Sequence, residues 1–538
     1  MRTRRLAVAA TVAAVAAALM SACGGSTTTT SSPTSAAAQD GGIISWNGTE
    51  PEDPLIPGDA TERDSVKIVD ALFTGLVEYD PQTAAPKLAV AKSIDSTDSK
   101  VYKITLNPGW TFHDKTPVTA ASFVDAWNYT AFGPNKLQGA QYLSHIQGFD
   151  TTQAGSTDKM SGLKVINDST FEVTLSAPFS EFQTELGYAA FFPLPRSFFS
   201  DRKGFEAHPI GDGPFYFESH TPGKNIIVKR YDAYAGARKP HVAGVEFRFY
   251  KQLEDAYADA VASKLDYLDF VPAAGLDGGK YKKDLAGRWL SHPYLGVQSI
   301  SFPMYDKRFA DPRLRQAISM AIDRKAVVDK AFDGDKIMPD GLVPPIAPGY
   351  GGDACGDLCT YQPAKAKALF DASGFQGPIE LTSNDDSANQ VWIDAACASI
   401  TKALGRECKY VPVPTFGDFR KLINDQKATT IFRSGWVADY PSIENFLNPI
   451  FRTGAAVNGS GYSNPQVDAL LARADAAPTE KEGWALYQQA EKQIIQDMPA
   501  IPLWFQKVES GWSTRTKNVI VTQMLQLDLY DVTLNNNN

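Results

Sequence analysis

From Gly377 onward the chain alternates short apolar runs with helical stripes, and no other feature constrains its fold as strongly. Residues 378–382, 408–413 and 429–432 read as strands, and residues 388–404 and 416–425 between them as helices. A strand returns parallel to its neighbour only through a crossover, usually a helix. The spacing therefore predicts an α/β architecture with a mostly parallel sheet in this part of the chain. Elsewhere residues 100–106, 170–175 and 225–229 alternate in period two, the pattern of half-buried strands. Residues 118–129 read as a helix capped near Thr119. Residues 313–330 read as another, with Leu314, Ile318, Ile322 and Val327 on its stripe. Residues 480–497 form a long amphipathic helix, and residues 500–505 a strand after it. No segment repeats another.

The N-terminus has a positive head with Arg2, Arg4 and Arg5, an apolar run over residues 6–20, and small residues around Cys23. Residues 1–22 read as a secretory signal. The run is shorter than the roughly 20 residues a spanning helix needs. Ser21-Ala22-Cys23-Gly24 resembles the bacterial lipobox, in which the cysteine receives lipid chains; Met20 stands where leucine is usual. Each buried methylene of such a chain supplies about 0.8 kcal/mol, so more than one chain anchors a protein durably. An ordinary cleavage site ahead of a freely secreted protein is the alternative. Residues 23–42, rich in Gly, Ser and Thr with no aromatic residue, read as a flexible linker. The expectation is a body lipid-anchored on the extracytoplasmic face of the cell membrane.

The remainder is long enough for two or three domains. A net charge of −9 with no basic cluster argues against nucleic acid as a partner and against docking of the body on an anionic bilayer. With Cys23 assigned to lipid, Cys355, Cys359, Cys397 and Cys408 remain. An even number in an exported chain suggests two disulfides, and four cysteines allow three pairings. The local pairing, Cys355–Cys359 and Cys397–Cys408, is favoured, because Cys397 lies on a helix ending near Gly405 and Cys408 opens the next strand. Zinc is the rival, but the pairs are separated by three and ten residues rather than two.

The six histidines are scattered, and there is no H-E-x-x-H, G-x-S-x-G or P-loop. Gly211-Asp-Gly-Pro214 reads as a turn before a strand. A large exported body without catalytic motifs, metal ligands or a cofactor fingerprint points to binding rather than to an enzyme.

Several blocks, taken in order, resemble the family 5 extracellular solute-binding proteins of ABC transporters, the oligopeptide- and dipeptide-binding proteins. They are Phe73-Thr-Gly-Leu-Val-Glu-Tyr-Asp80, the stretch from Trp110-Thr-Phe-His-Asp to Ala126-Trp127, Gly211-Asp-Gly-Pro-Phe-Tyr216, Arg313-Leu-Arg-Gln-Ala-Ile-Ser-Met-Ala-Ile-Asp-Arg324 and Val343-Pro-Pro-Ile-Ala-Pro-Gly-Tyr350. The resemblance implies a two-lobed α/β fold of the type II periplasmic-binding-protein kind, hinged around a ligand cleft. Lobe I would hold residues 43–295, with an extra subdomain at about 73–194, and residues 511–538 on the return. Lobe II would hold residues 296–510.

Arg433-Ser-Gly-Trp-Val-Ala-Asp-Tyr-Pro441 resembles the family's peptide-anchoring loop. By that resemblance Asp439 takes the ligand's α-ammonium through charge-assisted hydrogen bonds; its alternative role is to cap the turn before Pro441. Trp436 and Phe416 fall at cleft aromatics, Trp436 alternatively in the core. Arg433 falls at an arginine that helps neutralise the peptide carboxylate, or forms a structural ion pair. Asn384, Asn389 and Asn458 align with polar cleft positions. Some relatives carry a disulfide at the positions of Gly296 and Val437, which this chain lacks. The implied protein is monomeric, binds short peptides and hands them to an ABC permease. The same fold could instead take a nickel chelate, an oligosaccharide or an opine. A cell-surface hydrolase and an envelope-structural lipoprotein are the readings from other classes.

Overall fold

The computed structural model describes residues 41–385, 389–455 and 457–535. The signal-like segment, Cys23 and the linker up to residue 40 lie outside the described residues. Ten strands form one sheet in the order Cys408–Val413, Ile379–Asn384, Ile431–Val437, Trp289–Ser301, Ala500–Trp512, Tyr267–Leu268, Ile43–Gly48, Gly244–Phe249, Asn225–Arg230 and Phe215–Thr221. The βαβ rhythm occupies one end. There Ile379–Asn384 pairs in parallel with both neighbours, and the helices Asn389–Leu404 and Phe416–Asn424 make the crossovers. At the other end Ile43–Gly48 pairs in parallel with Gly244–Phe249, which continues antiparallel through the hairpin of the last two strands.

Two 13-residue strands join the ends. Trp289–Ser301 and Ala500–Trp512 pair antiparallel along their length. At one end of the pair Trp512 lies opposite Tyr267; at the other, residues 296–301 lie opposite Ile431–Val437. The register slips between Pro293 and Val297, where a proline cannot donate to the ladder.

The apolar side chains sort into two large cores on either side of this slip. One is built on Ile44, Trp46, Phe73, Phe123 and Trp127 and takes in Leu527, Leu529 and Val532 from the C-terminal stretch. The other is built on Leu295, Ile318, Ile393, Ile400 and Ile494. Each fully buried side chain of this size contributes about 1.5–3 kcal/mol, so each half has its own source of stability. The chain thus adopts the expected two-lobed α/β fold. A separate four-stranded antiparallel sheet, Ala91–Asp95, Val101–Leu106, Thr170–Thr174 and Leu163–Asn167, lies within the first half. The helix Ala120–Ala131 contacts it through a face of Phe123, Val124 and Trp127, and Thr119 and Ser122 close its first turn as a capping box.

Two elements differ from the sequence expectation. The helix expected over 313–330 is two, Pro312–Ala321 and Arg324–Phe332. Ile322 is extended, and Asp323 caps the second helix by accepting from the Ala326 amide at 3.0 Å. The stripe ran on because Leu314, Ile318, Ile322 and Val327 all enter one core. The strand expected over 500–505 continues to Trp512, because residues 507–511 find partners in residues 289–293. The structure joins Cys355 to Cys359 and Cys397 to Cys408.

Candidate functional site

The strand Ile431–Val437 and the loop after it carry Arg433, Trp436 and Asp439, and the helix Phe416–Asn424 carries Phe416, into two neighbouring cavities. Asp439 lies just past the strand. Its backbone amide donates to Asn445 Oδ1 at 3.0 Å, and the Trp436 indole donates to the same oxygen at 2.9 Å. One asparagine at the start of the helix Glu444–Phe451 thus fixes both residues. The Asp439 carboxylate accepts from the Tyr142 hydroxyl at 3.0 Å. Tyr142 belongs to the first half and Asp439 to the second, so this bond spans the two. Burial raises the Asp439 pKa, and the bonds from Tyr142 and Asn445 partly oppose the rise. Hydrogen bonds alone oppose it; no cation pairs with the carboxylate among the described residues. Past Pro441, the Ser442 hydroxyl accepts from the Glu444 amide at 3.0 Å.

Asp439 opens onto a cavity of about 230 Å³ walled by Trp46, Phe73, Tyr79, Tyr188 and Phe192. The Tyr188 ring packs on Tyr142 with centroids 4.2 Å apart. Asp70 is a second carboxylate on this wall. It is exposed to solvent at the edge of the cavity. Lys67, also on the wall, is already neutralised by Asp64 at 2.6 Å and Asp269 at 3.1 Å. The cavity therefore offers aromatic faces and negative charge, the surroundings an organic cation prefers.

The second cavity, of about 290 Å³, is walled by Arg433, Trp436, Phe416, Gln298 and the serines Ser299 and Ser434. Phe416 is 49% exposed, a large apolar ring offered to the opening. The Ser434 hydroxyl lies 2.8 Å from that of Ser299 and 2.7 Å from that of Ser301. Burial, and next the charge of Arg420, lower the Arg433 pKa. Arg433 Nε is enclosed with no hydrogen-bond partner among the described residues.

The three asparagines sit elsewhere. Asn458 is buried and knits its own loop, donating to the carbonyls of Arg452 and Tyr462 and accepting from the Tyr462 amide and the Ser460 hydroxyl. Its neighbours Val457 and Gly459 line the second cavity in its place. Asn384 and Asn389 bond to one another at 3.1 Å, and the Trp392 indole donates to Asn389 at 3.0 Å. Among the described residues, neither lies on the wall of either cavity. Gly296 and Val437, the positions of the disulfide found in some relatives, face each other as register partners.

Sequence reasoning missed Tyr142, Tyr188, Asp70, Asn445 and Arg420. Asn445 lies in the same short segment as Asp439, and a polar residue on a helix beginning just past Pro441 was the available signal. Tyr142 lies 297 positions from its partner, and no local pattern joins them. Among the described residues, no group of three or more His, Cys, Asp or Glu could hold a metal ion, and no helix is long and apolar enough to cross a membrane.

The family model for bacterial extracellular solute-binding proteins, family 5, matches residues 85–458. The probable deoxycholate-binding periplasmic protein YgiS of Escherichia coli K12 is 26% identical over 479 residues, covering 86% of this chain and 88% of its own. The periplasmic murein peptide-binding protein MppA of the same organism is 26% identical over 465 residues, covering 84% and 85%. The solved structure of MppA in its unliganded open form superposes with a TM-score of 0.81 at 23% identity, covering 92% of this chain and 98% of that one. The chain belongs to the bacterial extracellular solute-binding proteins of family 5.

Proposed function

We propose that the chain captures short peptides between its two halves for an ABC importer. The observation that carries this reading is the Asp439 carboxylate, which faces an aromatic cavity, pairs with no cation among the described residues and is held by Tyr142 from the opposite half. Every free peptide has an α-ammonium, so a carboxylate here recognises the class whatever the side chains. The unpaired Arg433 guanidinium in the next cavity suits the other terminus, because its planar fork matches a carboxylate. Side chains between the termini are accommodated with bridging water, which bonds nearly as well as protein does and adapts to shape.

A ligand touching both halves favours their approach by its differential affinity for the closed state. The register slip between Pro293 and Val297 supports a hinge there, where the chain passes from lobe I (43–295) to lobe II (296–510) before residues 511–538 return. The lipobox-like segment at Cys23 supports tethering to the outer face of the cell membrane, next to a permease that accepts the loaded, monomeric protein. The named relatives include binders of peptides and of a bile acid, so the test must separate these classes.

Calorimetry with di- to pentapeptides, their N-acetylated forms and deoxycholate does so. Free peptides are expected to bind. N-acetylation, or Asp439→Asn, is expected to weaken binding at least a hundredfold. Equal affinity for acetylated and free peptides, or binding of deoxycholate alone, would overturn the reading.

A further inference from the structure

The cavity beside Trp436 contains a second arginine for which the anchoring of one carboxylate gives no reason. Arg433 comes from the strand Ile431–Val437 and Arg420 from the helix Phe416–Asn424, and both line the same space of about 290 Å³. They are near enough that Arg420 lowers the Arg433 pKa. In a chain of net charge −9, the described wall of this cavity holds no Asp, Glu, His or Lys; the two arginines are its only charges. Arg433 Nε is enclosed without a partner. An enclosed donor left unbonded is costly, more so when it is charged, and two like charges facing one space repel. The repulsion disappears when the space is filled by two negative charges. A lone carboxylate satisfies one guanidinium fork through two parallel bonds and leaves the other uncompensated.

Resting on the peptide reading above, we propose that this cavity selects a dianionic ligand end: the terminal carboxylate of a peptide together with a carboxylate side chain on its last residue, one held by Arg433 and the other by Arg420. The hydroxyls of Ser299, Ser301 and Ser434 on the same wall supply further donors. Phe416, one helical turn before Arg420 and on the same wall, packs on the aliphatic part of that last residue. The shared chemistry is two negative charges within one residue's length, which a phosphoryl group would also supply.

The test is calorimetry of the purified chain at low salt with alanine peptides of two to five residues ending in Glu, in Gln, or in a C-terminally amidated phosphoserine. The Glu-ended series is expected to bind about tenfold more tightly than the Gln-ended one, and the margin to shrink at 0.5 M salt as screening grows. Arg420→Gln should reduce the margin to twofold or less, while Arg420→Lys should keep most of it; the melting temperatures of both variants report that they are folded. Equal or tighter binding of the Gln-ended series, or a margin that survives Arg420→Gln, overturns the proposal and leaves the peptide reading standing. Binding by neither series overturns both. Tightest binding by the phosphoserine amide overturns the dicarboxylate assignment in favour of a phosphoryl group.

Discussion

Tyr142 donates its hydroxyl to Asp439 at 3.0 Å, and this bond determines how the cleft responds to pH. Burial raises the Asp439 pKa and the tyrosine pulls it back. Only the ionised carboxylate attracts an ammonium. Peptide affinity should therefore hold at neutral pH and fall as pH drops through the raised Asp439 value, earlier than an ordinary carboxyl near 3.9 would cause. Tyr142→Phe removes the opposing bond, so the fall should move to higher pH. At neutral pH the variant should lose affinity only by the fraction of Asp439 that becomes protonated. Calorimetric titration from pH 4.5 to 8 reads both effects; an unchanged midpoint in the variant would show that Tyr142 does not act on Asp439.

A second pH response concerns stability. Ser442 donates to Glu181 at 2.8 Å, and Thr184 to Glu480 at 2.6 Å, so side chains of the two halves meet along a seam of acids. Glu181 and Glu185 enter it from the first half, and Glu444, Glu480, Asp475 and Asp439 from the second; Arg452, paired with Asp475, is the cation facing them. Burial pushes Glu444 up to about 7 and Glu181 and Glu185 well above the usual range. A carboxyl with a raised folded-state pKa stabilises fully below its unfolded value, and that stability is lost as pH rises to the folded one. For Glu444 the window runs from about 4.3 to about 7, at about 1.4 kcal/mol per pH unit. The melting temperature should be higher at pH 5.5 than at pH 7.5. Glu444→Gln, which holds the neutral form at every pH, should narrow that difference. A melting temperature that rises from pH 5.5 to 7.5 in the parent chain would refute the account.

Asp269 anchors the wall of the first cavity. It is 3% exposed, pairs with Arg63 at 2.6 Å and Lys67 at 3.1 Å, and accepts from the Trp46 indole. Lys67 is 1% exposed and also donates to the Asn47 carbonyl. Asp269→Leu would leave Lys67 to Asp64 alone and Arg63, whose side chain is 32% exposed, with Asp64 at 3.8 Å; losing hydrogen bonds to a charged acceptor in this way costs about 1.5–3 kcal/mol. Denaturant unfolding should show a loss of that size. Lys67→Met should cost less, because Arg63 still holds the aspartate. The reverse order would mean that Lys67, not Asp269, is the centre of the cluster.

How much of this was legible in the sequence depended on whether the cause was local. The crossovers from residue 379 to 437 follow from period and turn signals within one segment, and the structure places them within a few residues of expectation. The capped helix at Thr119 and the helix Glu480–Asp497 follow for the same reason. The break at Ile322 was hidden because an N-cap aspartate inside an unbroken stripe looks like one more polar residue. Of the expected residues, Asp439, Trp436, Arg433 and Phe416 line the two cavities, because one strand with its loop and one helix carry them. Asn458, Asn384 and Asn389 aligned with cleft positions, but their side chains turn inward to satisfy buried backbone and indole groups. Tyr142, Tyr188 and Asp70 reach the cleft only through tertiary folding, which no spacing encodes.

The last prediction uses the Gly296–Val437 pair. These residues are opposite one another in the antiparallel ladder between Trp289–Ser301 and Ile431–Val437. Facing residues in such a ladder have Cα atoms about 4.5–5.5 Å apart, within the span a disulfide bridges. A Cβ added at Gly296 would meet the Tyr294 ring at 2.6 Å and the Gln506 side chain at 3.1 Å, contacts that side-chain rotation relieves. The double variant Gly296→Cys, Val437→Cys should therefore oxidise in air, seen as the loss of two titratable thiols. Val437 belongs to the second half, and Gly296 lies inside the register slip, next to Val297 where the pairing resumes. If the hinge bends before Gly296, the bridge fastens one half to itself and leaves closure free. Peptide affinity in the oxidised variant should then stay within about twofold of the reduced form. A drop of tenfold or more on oxidation would place the moving joint between Gly296 and Val437, and the hinge at Pro293 to Val297 would have to be abandoned.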